Sequence, residues 1–174
     1  MPLAERLVLQ QADITTLDVD AVVNAANNAL MPGGGVCGAI HRAAGPELAD
    51  ACAEVAPCPT GDVRLTPGFG LRARWVLHAV GPVWRGGQQG EDRLLAACYR
   101  GALAEAEAGE LESVAFPAIS TGIYAFPLGR AARIALREIA AGLERAVHVR
   151  RVICACFDAD TLATYESVRR EMEL

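Results

Sequence analysis

The chain has 174 residues, 52% of them apolar, which supports one domain with its own core. Its net charge is −5 and all sixteen basic residues are arginine, so no general nucleic-acid surface is expected, because neutralising phosphates needs clustered basic side chains. Six cysteines without a C-x-x-C pair and only three histidines point away from a metal site, and without a signal peptide or a membrane-length apolar run the expected location is cytoplasmic, with reduced thiols and no membrane partner.

Leu7 to Gln11 reads as a first strand, and Asp13 at its end is placed to cap a turn or to accept a hydrogen bond from a ligand amine. Ala21 to Asn24 is the second strand. It runs into Asn27, Asn28 and the triplet Gly33-Gly34-Gly35, after which Val36 to Ala44 reads as a helix carrying His41. Three successive glycines let the backbone come close to a ligand and aim N–H groups at an anion. The run lacks the spacing of a dinucleotide fold or a P-loop, so taken alone a flexible turn explains it equally well. The asparagines where the strand ends favour a ligand crevice.

Pro46 opens a helix from Glu47 to about Val55, and Pro57 and Pro59 end it. Asp62 to Thr66 and Arg74 to Gly81 read as strands, followed by an exposed loop at Gly86 to Gly90 and a long helix from Glu91 to Gly109. Ser113 to Pro117 is a strand that enters a second ligand-type loop, Ala118 to Pro127. A helix from Leu128 to Arg145, a strand from Arg151 to Phe157 and a helix from Asp160 to Glu173 complete the chain. From residue 61 onward strands and helices are expected to alternate, which implies a largely parallel sheet covered on both faces. Cys154 and Cys156, two apart in a strand, read as small core residues on one face.

In such a sheet the C-terminal strand ends gather on one edge. Asp13, the segment Asn24 to Gly35, the segment Ser120 to Phe126, and Phe157-Asp158 would then meet. Together they offer an acid for the exocyclic amine of a base, a ring for stacking, amides for a diphosphate and asparagines for ribose hydroxyls.

Six blocks in order resemble the macrodomain family. They are Asp13-Ile14-Thr15; Val23-Asn24-Ala25-Ala26-Asn27; Gly33-Gly34-Gly35-Val36; Ala39-Ile40-His41-Arg42-Ala43-Ala44-Gly45-Pro46; His78-Ala79-Val80-Gly81-Pro82-Val83-Trp84; and Phe116-Pro117-Ala118-Ile119-Ser120-Thr121-Gly122-Ile123-Tyr124. The resemblance is greatest to the MacroD-like bacterial O-acetyl-ADP-ribose deacetylases and mono-ADP-ribosylhydrolases, and it covers nearly the whole chain. It implies a single macrodomain over residues 1–174, an α/β fold built as a three-layer α/β/α sandwich with a mixed, largely parallel central sheet. It also implies ADP-ribose and mono-ADP-ribosylated proteins as partners, and hydrolysis at the distal ribose without metal or cofactor.

Carried over by position, Asp13 would hold the adenine amine with the Ile14 amide beside it, and Phe157 would stack on the base. Asn27 and Asn24 would reach the distal ribose. Gly34, Gly35 and Val36 would line one phosphate loop, and Ser120, Thr121, Gly122, Ile123 and Tyr124 the other. Tyr124 or Phe126 would close over the ribose. His41, which alone would read as an ordinary helix histidine, falls on the same helix face as residue 37.

Residue 37 departs from the family pattern. Where the family has Val-Asp-Gly, this chain has Val36-Cys37-Gly38. A carboxylate is ionised at neutral pH and accepts hydrogen bonds, whereas a thiol is mostly neutral and accepts them poorly. Three outcomes are open: hydrolysis with water oriented by a substrate phosphate, Asn27 and His41; a reader with little turnover; or Cys37 acting as base or nucleophile, favoured by the helix start. Ala12, where the family has Gly, and Pro32 are lesser departures that remove no functional group.

Overall fold

A computed structural model describes residues 1–174. Six strands, Leu7–Gln11 (β1), Ala21–Ala25 (β2), Val63–Pro67 (β3), Trp75–Ala79 (β4), Ser113–Phe116 (β5) and Arg151–Cys156 (β6), form one sheet in the order β1-β6-β5-β2-β4-β3. The helices are Leu3–Arg6 (α1), Gly35–Ala44 (α2), Glu47–Val55 (α3), Glu91–Ala108 (α4), Leu128–Arg145 (α5) and Ala159–Glu171 (α6). The short α1 and a 3-10 turn at Ile14–Thr16 carry no strong periodicity and were not expected from the sequence.

The alternation of side chains along the central strands sorts them into two cores. Val23, Leu77 and Ala79 face α4 and α5 in one apolar cluster, while Val22, Val76 and Val80 face α2 and α3 in the other. By the same period, Asn24 and His78, paired in register across β2 and β4, lie on the α2 and α3 side. Helices therefore cover both faces, and the architecture is the three-layer sandwich. Cys154 and Cys156 do share a face, in the α4 and α5 core.

The sheet is parallel except at one edge, where β3 pairs antiparallel with β4. This corrects the expected strand–helix alternation beyond residue 61. Only residues 68–74 separate the two strands, too few for the crossover of a dozen or more residues that a parallel pair needs. No helix of the chain is long and apolar enough to cross a membrane.

Candidate functional site

Because β1, β6, β5, β2 and β4 run parallel, the segments that follow them emerge along one edge of the sheet. At one end, the Ala12 N–H donates to the Cys156 carbonyl at 3.0 Å, which holds the exits of β1 and β6 together. Asp13 caps the following turn, one carboxylate oxygen accepting from Thr15 N at 3.0 Å and Thr15 Oγ1 at 2.7 Å. Ile14 is buried beneath it, whereas Phe157 is 82% exposed and leaves a ring face open at the edge. An acid and an open aromatic face thus stand on neighbouring strand ends.

After β2, the chain turns through Asn27 into the glycine triplet and α2. The N-terminus of α2 has no side-chain cap, so the amides of its first turn point outward as an anion-binding end. The second loop, after β5, is closed on itself by Ala125 N to Gly122 O at 2.9 Å and Phe126 N to Ser120 O at 2.9 Å. Thr121 Oγ1 donates to Ala118 O at 2.8 Å. Ser120 and Ala125 adopt φ of 66° and 59°, a region that non-glycine residues occupy at a cost, and one that clusters at ligand sites. The N–H groups of Gly122, Ile123 and Tyr124 take no part in the loop's hydrogen bonds. The two loops approach each other closely: a Cβ placed on Gly34 would lie 3.9 Å from Ile123 Cδ1.

Cys37 and Asn27 both border Gly33, where a Cβ would lie 3.9 Å from the Cys37 Sγ and 3.6 Å from Asn27 Nδ2. In this state both residues are tied to Met31. Asn27 Nδ2 donates to the Met31 carbonyl at 2.9 Å and Met31 N donates back to Asn27 Oδ1 at 3.1 Å. The Cys37 thiol donates to the same carbonyl at 3.7 Å. Asn24 lies beneath, fully buried, its Nδ2 3.8 Å from Cys37 Sγ and 3.0 Å from His78 Nδ1. Its Oδ1 has no partner.

Burial, with the nearby His41 second, takes the pKa of His78 down to about 4, so its ring is neutral at neutral pH. Its other nitrogen, Nε2, lies 2.9 Å from Thr66 Oγ1. His41 is also buried, which lowers its pKa, and its Nε2 has no partner. His41 makes no hydrogen bond with Cys37. Phe126 is buried rather than open to the edge, packed on Trp84 with ring centroids 4.8 Å apart. Tyr124 is half-buried.

One residue that sequence reasoning passed over is Glu91. The Gly86 to Gly90 loop resembles a third anion loop, but Glu91 already occupies its amides. Glu91 Oε2 accepts from Arg85 N and Gly87 N, each at 2.9 Å, and Oε1 from Gln89 N at 2.6 Å. The signal in the sequence is an acidic residue directly after a glycine-rich loop, at the first position of a helix.

The Macro domain family profile matches residues 23–135. A Macro domain-containing protein of Ralstonia nicotianae is 53% identical over 161 residues, 92% of each chain. A protein of Salmonella newport named O-acetyl-ADP-ribose deacetylase is 49% identical over 167 residues, 94% of this chain and 93% of its own. Among solved structures, the Oceanobacillus iheyensis macrodomain with ADP matches with a TM-score of 0.89 and 40% identity, covering 95% of this chain and 90% of that one. The Trypanosoma brucei macrodomain in complex with ADP-ribose matches with a TM-score of 0.87 and 44% identity, covering 93% of this chain and 68% of that one. With the profile spanning β2 into α5 and relatives matched almost end to end, the chain belongs to the macrodomain family.

Proposed function

We propose that this chain, as one macrodomain over residues 1–174, binds ADP-ribose along the sheet edge and hydrolyses esters at the distal ribose. Its substrates on this reading are O-acetyl-ADP-ribose and proteins mono-ADP-ribosylated on Asp or Glu, encountered in the cytoplasm. The observation that carries the reading is the meeting of two amide-rich loops at Gly34 and Ile123, beside an uncapped helix N-terminus. Such a cradle takes a diphosphate without basic side chains, which suits a net-acidic chain. Asp13 and the Ile14 amide receive the adenine amine and Phe157 stacks on the base. Gly34, Gly35 and Val36 on one side, and Ser120 to Tyr124 on the other, hold the phosphates. Asn27 faces the distal ribose, whereas Asn24, expected there from the sequence, is buried beneath Cys37 and supports the site from below; Tyr124 covers the ribose.

Hydrolysis then needs a water aimed at the ester carbonyl. Asn27, released from Met31, and a substrate phosphate orient that water. His41 helps to orient it; attack on the carbonyl breaks the bond between the acyl carbon and the ribose oxygen, and that oxygen takes the proton the water gives up. A second reading, a module that binds ADP-ribose with little turnover, is favoured by Cys37: a side chain donating to Met31 O supplies no carboxylate beside the water.

Single-turnover release of ADP-ribose from a glutamate-modified protein separates the two, run on this chain beside Cys37→Asp after both are shown to bind ADP-ribose. Comparable rates support the hydrolase. A variant faster by the ~10²- to 10⁴-fold of a general base identifies the chain as a reader. Failure of both proteins to bind ADP-ribose overturns either reading.

A further inference from the structure

We infer that the 84–91 loop is a strut that sets the position of the second ligand loop, with Trp84 as its positioning residue and Glu91 as its anchor; the inference rests on the ADP-ribose reading above. The Trp84 N–H donates to the Tyr124 carbonyl at 2.8 Å, the only hydrogen bond that ties the tip of the second loop to another part of the chain. The Trp84 indole packs on Phe126 with planes tilted by 54°, so one residue fixes both the tip and the base of that loop. Behind the indole, the Arg130 guanidinium carbon lies 5.0 Å from the ring centroid. Arg130 is itself held by Asp92 through two hydrogen bonds of 2.8 and 2.7 Å. The indole is therefore clamped between α5 and the ligand loop.

Glu91 holds the other end of the strut. Glu91 is 1% exposed, and its carboxylate gathers the N–H groups of Arg85, Gly87 and Gln89. This wraps the chain tightly enough that Gly87 passes directly behind Trp84: a Cβ on Gly87 would lie 2.7 Å from Trp84 Cη2 and 3.4 Å from Arg130 Nη1. The loop's own hydrogen bonds close it at Gly122–Ala125 and Ser120–Phe126, so its position relative to the rest of the site is set by contacts such as that of Trp84 with Tyr124. Displacements on the order of 1 Å in a positioning element can cost ~10²-fold in function. The strut thus acts on the ligand without touching it.

Neighbouring glycines provide the test. Gly86 and Gly87 have φ of 93° and 90°, so alanine strains the backbone equally at either. At Gly86 a Cβ meets nothing within 4 Å, whereas at Gly87 it meets the indole. Titration calorimetry of the full chain with ADP-ribose is expected to show Gly87→Ala weakened about tenfold or more and Gly86→Ala changed less than about twofold. In a Trp75→Phe background, which leaves Trp84 as the only tryptophan, emission is expected to shift for Gly87→Ala and not for Gly86→Ala. Glu91→Gln, which releases the loop without adding bulk, is expected to weaken binding in the same direction and keeps the test decisive if Gly87→Ala fails to fold. Binding by Gly87→Ala or by folded Glu91→Gln equal to that of Gly86→Ala overturns the strut. Failure of the unsubstituted chain to bind ADP-ribose overturns the functional reading instead, and the strut with it.

Discussion

Asn24 Nδ2 stands 3.0 Å from His78 Nδ1 across two parallel strands, beneath the thiol of Cys37. The amide nitrogen can only donate, so Nδ1 accepts and the ring proton sits on Nε2. Nε2 donates to Thr66 Oγ1 at 2.9 Å, and the Thr66 hydroxyl donates onward to the Pro67 carbonyl at 3.1 Å. This chain of donors keeps the Asn24 carbonyl oxygen turned away from His78.

A pH dependence of stability follows. Unfolded, His78 titrates near its ordinary 6.5; folded, burial and the neighbouring His41 hold it at about 4. Between those values the unfolded state binds the extra proton. Acidification through that window therefore favours unfolding, by ~3 kcal/mol once pH 4 is reached, and this group adds nothing further below it. Asn24, Cys52 and Thr66 contact the ring and His41 lies nearby, its own pKa shifted in the same direction. Urea unfolding at pH 7, 5.5 and 4.5 should show the chain losing more stability than a His78→Asn variant, which keeps an acceptor for Asn24 but does not titrate.

Glu91 predicts an acid limit of a different kind. Burial pushes its carboxyl up, but the backbone N–H groups of Arg85, Gly87, Gln89 and Glu91 itself outweigh that and hold the pKa at about 2. The stability it contributes is present above the unfolded carboxylate value and is lost as pH falls toward about 2. Thermal unfolding should therefore show Glu91→Gln less stable than the parent by a constant margin at pH 5 to 7. That margin should shrink as both approach pH 2.

Phe157→Ala separates binding from folding. The ring is 82% exposed, so its removal should leave thermal stability within ~0.5 kcal/mol. Loss of base stacking should cost about 1–3 kcal/mol of ADP-ribose binding by calorimetry. Unchanged affinity would remove Phe157 from the site.

Gly38 couples α2 to the first ligand loop. A Cβ there would lie 2.5 Å from the Gly33 carbonyl oxygen and 3.0 Å from Arg42 Nη1. Gly38→Ala must push the glycine loop outward, with an overpacking cost of about 1–3 kcal/mol in unfolding. ADP-ribose affinity is expected to fall alongside it, whereas Gly129→Ala, which meets nothing within 4 Å, should leave affinity unchanged.

The sequence by itself determined the six strands, the five longer helices and the family. Ala21-Val22-Val23 reads as a strand and is one, Pro46 and the glycine triplet mark helix starts, and the asparagines and glycines after β2 mark the candidate ligand edge. These are local signals, set by side-chain period and backbone chemistry over a few residues. The antiparallel direction of β3, the placement of Asn24 under Cys37 rather than in the open cleft, and the capture of a glycine-rich loop by Glu91 were decided only by tertiary structure. Each depends on which distant groups meet once the sheet has formed, and a buried amide or carboxylate takes whichever partners satisfy it there. A lone Glu at the start of a helix looks the same in sequence whether it faces water or holds three backbone amides.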